Sequence, residues 1–296
     1  MSAVVKWGDQ FSSPISVTSG VRQGGILSPV LFNLYVDTLI KSLRKSDLGC
    51  HFHNMFVGCI MYADDLLLIS ASLVDLQCMI DNCCTVGAQL GIQFNYSKCK
   101  CMIIGPNTPQ SIADLKINGK SLMWESQIKY LGVLLRAGKT FGIDLSEVRR
   151  KFFISVNSIL CRAKYANDIT KLHLLESQCL PILLYAIESV SLSNNELRQI
   201  NSWWNSVYRK IFHYNKWESV KELIHYLRKL DVLHLENLRR MNFIKKLLSN
   251  ENSNQIVKNF IKLYAHTSEF FSVCFKYNLK LHWSVYKMKA TMLAQS

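Results

Sequence analysis

Cys59-Ile60-Met61-Tyr62-Ala63-Asp64-Asp65-Leu66-Leu67-Leu68-Ile69 sets two adjacent carboxylates inside the most apolar segment of the chain. Apolar runs on both sides, Phe56 to Tyr62 and Leu66 to Ser70, predict a strand, a tight turn and a second strand with both faces covered. Asp64 and Asp65 then sit at the hairpin tip. Burying unpaired carboxylates costs roughly several kcal/mol each, and a divalent cation would offset that cost. Hard oxygen ligands select Mg²⁺ or Mn²⁺. The simpler alternative is an ordinary exposed turn, since Asp is a good turn residue. An isolated Asp-Asp pair reads that way.

Outward from this segment, Ser72-Leu73-Val74-Asp75 has capping-box spacing, and Leu73, Leu76, Ile80, Cys83, Gly87 and Leu90 form one stripe of a helix ended by Gly91. Upstream, Ser28-Pro29 opens a helix whose Val30, Leu31, Leu34, Tyr35, Thr38 and Leu39 recur at helical spacing to about Leu43. Val4 to Trp7 and Ile15 to Thr18 predict a hairpin with a longer loop around Gly8-Asp9-Gln10 and Pro14. Downstream, Ile92 to Phe94 and Cys101 to Ile104 read as short strands flanking Asn95-Tyr96-Ser97-Lys98. Ile128 to Leu135 reads as one more strand, carrying Tyr130-Leu131-Gly132. From Leu145 onward proline and glycine almost vanish apart from Pro181, and helical periodicity with Trp203, Trp204, Tyr208, Ile211 and Phe212 takes over.

Hydrophobic residues make up 49% of 296, ample for a packed core. Charge is distributed unevenly. Residues 1–146 hold 12 basic and 10 acidic side chains, while residues 147–296 hold 23 and 11, so 12 of the 14 net positive charges lie in the second half. A basic second half favours polyanionic partners such as nucleic acid. No basic N-terminal stretch precedes an apolar core, and no apolar run approaches the ~20 residues of a membrane-spanning helix. The expectation is a soluble intracellular protein, nuclear or cytoplasmic. Several of the ten cysteines fall inside apolar periodic segments, where cysteine behaves as a small buried hydrophobe. Cys-x-x-Cys pairs are absent, which disfavours a zinc ribbon or knuckle. His51 and His53 beside Cys50 are either metal ligands or one face of a strand.

Gly20-Val21-Arg22-Gln23-Gly24-Gly25-Ile26-Leu27-Ser28-Pro29-Val30-Leu31-Phe32-Asn33 followed by Tyr62-Ala63-Asp64-Asp65 resembles the paired fourth and fifth signature blocks of reverse transcriptases of the non-LTR retrotransposon (LINE) type. The resemblance continues through Leu90 to Lys100 and through Lys129-Tyr130-Leu131-Gly132-Val133, four blocks in the family's order over most of residues 1–137. It implies that Asp64 and Asp65 are catalytic metal ligands for Mg²⁺ or Mn²⁺. Arg22, Gln23, Gly24, Gly25, Tyr62 and Ala63 would contact the nucleotide or template, with Tyr62 beside the primer terminus. Lys98 would approach the departing pyrophosphate, and Tyr130, Leu131 and Gly132 would form a primer grip. Each has a simpler counterpart: a Gly-Gly loop, a core tyrosine, a solvated lysine, an ordinary edge strand.

The implied fold class is α+β, a partial reverse-transcriptase palm of antiparallel sheet and helices over residues 1–137. An all-α thumb over 138–240 and a helical tail over 241–296 follow. The implied partners are an RNA template, a DNA primer and nucleoside triphosphates, with no membrane. Arg149, Arg150, Lys151, Arg162 and Lys164 would hold nucleic-acid backbone. In the family a third carboxylate comes from a strand before the Gln-Gly-Gly block. Only nineteen residues precede Gly20, and Asp9 does not match that strand. The expectation is therefore weak metal binding, no polymerase activity from this chain alone, and self-association through an unpaired sheet edge. Met1 is read as an internal methionine of a longer reading frame. The rival readings are a non-catalytic nucleic-acid-binding protein and a decayed fragment.

Overall fold

A computed structural model describes residues 2–17, 20–52, 54–106, 113–249, 257–259, 261, 273–280 and 282–295. Pro29, which needs no amide partner in a first helical turn, lies at the start of helix α1 (Ser28–Lys45), and Arg44 and Lys45 meet the negative end of its dipole. Leu39 and Leu43 on its inner face pack against Met79 and Cys83 of helix α2 (Leu73–Gln89). Ser72 caps α2, its Oγ accepting from the Asp75 amide at 3.2 Å.

Strands are short throughout the first half. β1 (Ser2–Ala3) pairs antiparallel with β4 (Ile15–Ser16), and β2 (Lys6–Trp7) with β3 (Gln10–Phe11) between them. The expected long-loop hairpin is thus two nested ones, and its last residue, Thr18, lies outside the described residues. β5 (His51–Phe52) pairs with β6 (Met55–Phe56), and His53 also lies outside the described residues.

β7 (Cys59–Tyr62) and β8 (Asp65–Leu68) form the expected hairpin, in register from Cys59↔Leu68 to Tyr62↔Asp65. Among the described residues it is a sheet of two strands. Cys59, Leu66 and Leu68 pack into the core of Leu39, Leu43, Met79 and Cys83, so one face is covered. The other face is open, with Ile60 47% and Tyr62 65% exposed. The expectation that both faces are covered fails because α1 and α2 supply only one apolar layer.

Ile92 to Phe94 is not a strand. Its first amide ends α2 instead: Ile92 N donates to Gly87 O at 2.7 Å and Gly91 N to Ala88 O at 3.1 Å, a Schellman closure. Phe94 then turns into the core against Gly87. The strand expected over Cys101 to Ile104 shrinks to β9 (Lys100–Cys101). β10 (Lys116–Ile117) and β11 (Lys120–Ser121) turn on Asn118-Gly119, a strong hairpin signal absent from the expectations above, and β12 (Met123–Trp124) runs parallel to β9.

The chain divides into two compact units, one of Met1–Cys101 and Thr108–Glu125, the other of Met102–Asn107 and Ser126–Ser296. The second unit begins before residue 137, because β13 (Gln127–Tyr130), β14 (Val133–Arg136) and β15 (Gly142–Ile143) belong with the helices. Its helices include α3 (Ser146–Arg162), α4 (Asp168–Gln178), α5 (Leu180–Leu183), α6 (Asn194–Ile211), α7 (Lys221–Tyr226), α8 (Val232–Ser249) and α9 (Val285–Gln295). A full capping box of Ser193 and Glu196 starts α6, and Ile200, Trp204, Val207, Tyr208 and Ile211 form its buried stripe. Trp204 meets Tyr208 edge-on at 5.7 Å and packs with Phe152, Val156 and Leu175. Leu238 and Met241 of α8 pack with Met288 and Met292 of α9. The chain is mixed α and β, and among its described residues no helix is long and apolar enough to cross a membrane.

Trp204, fully enclosed at the centre of the second unit, is the largest side chain that core buries. Trp204→Ala should cost about 3–5 kcal/mol, read as a lowered urea midpoint of the helical transition.

Candidate active site

The β7–β8 turn is two residues long, Ala63 and Asp64, and Ala63 adopts φ 52°. An alanine in that left-handed region is strained by about 1–2 kcal/mol, and such strain gathers at functional sites. Tyr62 and Asp65 face each other across the hairpin on its open side. Asp64 and Asp65 are both exposed, which corrects the reading of buried carboxylates and matches the alternative of an exposed turn: water hydrates them, so no cation is required to compensate burial. Neither makes an ion pair among the described residues. No group of three or more His, Cys, Asp and Glu able to hold a metal ion occurs among those residues either. The donors suit Mg²⁺ or Mn²⁺ in kind, as hard oxygens, and fall short in number.

Arg22 to Gly25 form the turn that leads into α1. The Arg22 carbonyl accepts from the Gly25 amide at 3.1 Å and from Ser28 Oγ at 2.5 Å. A Cβ on Gly25 would lie 2.6 Å from Ser28 Oγ, and Gly24 adopts φ 77°, so the turn itself requires both glycines. The Gln23 side chain is exposed there. Lys98 is exposed in a separate turn held by Asn95, whose Oδ1 accepts from the Ser97 amide and hydroxyl. Burial pushes the pKa of the nearby thiols up, Cys59 to about 11 and Cys83 to about 12, which disfavours the thiolate form.

Tyr130, Leu131, Gly132 and the five basic residues lie in the second unit. Ile128 to Leu135, expected as one strand, is a hairpin that turns on Leu131 at φ 45° and Gly132 at φ 84°. Two successive positive φ values make the tight turn that fits strand twist. Tyr185 closes it, its hydroxyl donating to the Leu131 carbonyl at 2.8 Å. Its ring lies 3.2 Å from where a Cβ on Gly132 would be. No local sequence signal marks Tyr185, because its partner is 54 positions away.

On α3, Glu147 binds Lys129 at 2.9 Å and Lys151 at 3.1 Å, and these two ammonium groups hold its carboxyl below the usual range. Arg149 lies over Trp203 at 5.8 Å, and Lys164 over Tyr165 at 5.7 Å. Arg150 and Arg162 are exposed and make no ion pair among the described residues.

Residues 4–135 match the family model described as reverse transcriptase (RNA-dependent DNA polymerase). Over that span, 132 of its 296 residues, the chain is similar to reverse transcriptases. Its relatives are non-LTR retrotransposon proteins. It is 27% identical over 221 residues to a retrovirus-related Pol polyprotein from type-1 retrotransposable element R2 of Popillia japonica, covering 70% of this chain and 35% of that protein. It is 32% identical over 135 residues to the corresponding Pol polyprotein from type-2 element R2DM of Drosophila melanogaster, covering 43% and 13%. A probable RNA-directed DNA polymerase from transposon BS, also of Drosophila melanogaster, is 26% identical over 212 residues, covering 62% and 21%. The chain spans about a third or less of the length of these relatives.

Because Gly132 combines a left-handed backbone with the Tyr185 ring at its door, Gly132→Ala should destabilise the second unit by about 1 kcal/mol or more. Tyr185→Phe, which keeps the ring, should cost less; equal stability of Gly132→Ala and the unaltered chain in urea would contradict this account of the turn.

Proposed function

We propose that this chain is part of an RNA-directed DNA polymerase of a non-LTR retrotransposon, with a partial palm over 1–137, a thumb over 138–240 and a helical tail over 241–296. The observation that carries the reading is the Tyr62-Ala63-Asp64-Asp65 tip: two exposed carboxylates, one on a strained two-residue turn and one at the start of β8, within the span that matches the family. Asp64 and Asp65 are assigned to Mg²⁺ or Mn²⁺. When bound, such ions stabilise the charge on attacking and leaving oxygens in nucleotidyl transfer.

The remaining roles follow from position and chemistry. Tyr62, exposed beside Asp65, offers a ring to the primer terminus, and Gln23 with the Gly24-Gly25 backbone offers hydrogen bonds to template or nucleotide. Lys98 offers an exposed cation to a leaving pyrophosphate. Tyr130, Leu131 and Gly132 are assigned to the primer. Arg149, Arg150, Lys151, Arg162 and Lys164 are assigned to phosphates, a role that needs no catalysis and supports the alternative of a nucleic-acid-binding protein. Arg150 and Arg162 are the free cations of this set among the described residues.

A two-carboxylate tip needs a third acidic ligand, and we assign that ligand to a segment outside the hairpin. Among the described residues the β7–β8 sheet has only two strands, and its edges along Cys59–Tyr62 or Leu66 to Ile69 are where an added strand or a second copy would pair.

Primer extension tests the reading. The chain alone, given a primed RNA template, deoxynucleotides and Mg²⁺ or Mn²⁺, should extend nothing. Adding a polypeptide that carries the family's upstream strand with its aspartate should restore trace synthesis, and Asp64→Ala should abolish it. Extension by the unaided chain would refute the incomplete site; restored synthesis that survives Asp64→Ala would refute the role of the tip.

A further inference from the structure

Between α6 and α7 the chain runs through His213-Tyr214-Asn215-Lys216-Trp217-Glu218-Ser219-Val220, and hydrogen bonds hold this turn in one shape. The Asn215 amide and Nδ2 donate to the Glu218 carboxylate at 2.5 and 3.0 Å. Arg209 Nε donates to the Glu218 carbonyl at 2.8 Å, and the Tyr214 amide to the Arg209 carbonyl at 3.1 Å. Beneath it, Val220 and Ile224 are buried in the core of the second unit.

Exposed aromatic rings lie on this turn and at the end of α7. Trp217 is 87% exposed and Tyr226 84% exposed. Tyr214 and Tyr226 line an open concavity of about 770 Å³ together with Lys221, Glu222, Leu223 and His225. A large ring left in water forgoes the stabilisation that burial would bring, and nothing among the described residues covers Trp217. Cations accompany the rings. Lys216 Nζ lies 4.9 Å from the Trp217 ring centre. Residues 209–229 hold six basic side chains against Glu218 and Glu222, a net of four positive charges. Glu218 is already engaged within the turn, and Lys229 pairs with Glu176 at 2.6 Å. Lys221 and Arg228 make no ion pair among the described residues.

Flat rings beside free ammonium groups match one ligand chemistry: an unpaired base that stacks and a phosphate that follows it. A duplex hides its base faces, so the fit is to a single strand. An apolar protein partner would use the rings and gain nothing from the surplus positive charge. We propose that the α6–α7 turn is a stacking site for single-stranded nucleic acid, with bases on Trp217 and Tyr226 and phosphates on Lys216 and Lys221. This site is separate from the phosphate contacts assigned to α3, and it reads no sequence because every base presents a π face.

Anisotropy titrations of the full chain test it, using roughly 12-nucleotide oligo(U) and oligo(dT) probes and a duplex of the same length. Trp217→Ala and Tyr226→Ala should each weaken single-strand binding about ten-fold with the salt slope unchanged. Lys216→Ala with Lys221→Ala should instead lower that slope by about one to one and a half. Trp217→Phe should retain most of the affinity, and circular dichroism should be unchanged for all of them. In an Arg149→Ala, Arg150→Ala, Lys151→Ala background the loss on Trp217→Ala should persist, whether or not α3 itself contributes. Single-strand affinity unaltered in both aromatic variants, including the case in which only self-association changes, would overturn the proposal. So would a ten-fold loss confined to the duplex probe.

Discussion

One-sided burial of the β7–β8 hairpin is the constraint on which the candidate active site depends. Cys59, Leu66 and Leu68 are anchored on Leu39, Leu43, Met79 and Cys83, and this apolar contact fixes which way the pleat faces. Strand periodicity then dictates the rest: once Cys59 and Leu68 point inward, Ile60, Tyr62 and Asp65 must point outward. A slip of one residue in register would bury Asp65 and expose the leucines. The carboxylates are therefore held in water by hydrophobic packing a few residues away, with no ion pair of their own among the described residues. That arrangement leaves them available to a cation, and it leaves an apolar strand face uncovered.

Much of the first unit is legible in its amino-acid sequence. The helix after Pro29, the hairpin around Asp64 and the helix capped by Ser72 follow from local rules, namely proline placement, apolar runs around a turn and capping spacing. What is not legible depends on partners remote in sequence or on the number of layers. Two faces of the hairpin read as apolar, yet only one layer of helices covers it. Ile92 looks like the start of a strand and instead spends its amide closing α2. Ile128 to Leu135 favours β throughout except at Gly132, and the positive φ values at Leu131 and Gly132 divide it, supported by a hydroxyl from Tyr185. At the site itself, the residue types are readable from the motif, whereas the apolar flanks leave burial and exposure of Asp64 and Asp65 both open.

The second unit distributes its charge in a way that composition alone misstates. A large positive excess suggests a uniform basic face, but Lys129 and Lys151 converge on one carboxylate and Arg149 leans on an indole. Ion pairs between exposed groups add little stability, so their main effect is to orient these side chains. Cations without an ion pair among the described residues, such as Arg150, Arg162, Lys221 and Arg228, are the ones able to exchange counterions for phosphate. The likeness to the R2 Pol polyprotein of Popillia japonica covers 221 residues, more than the family match over 4–135, so the similarity reaches into the second unit.

Whether the Asp64–Asp65 tip takes a divalent cation is the most direct test of its assigned role. Mn²⁺ added to the isotopically labelled chain should broaden backbone amide signals by proximity, in order of their distance from the ion. The expected result is selective broadening from Tyr62 to Leu66 that is weak, saturable and removed by Asp64→Ala with Asp65→Ala. Broadening centred elsewhere, or identical in the doubly substituted chain, would contradict it.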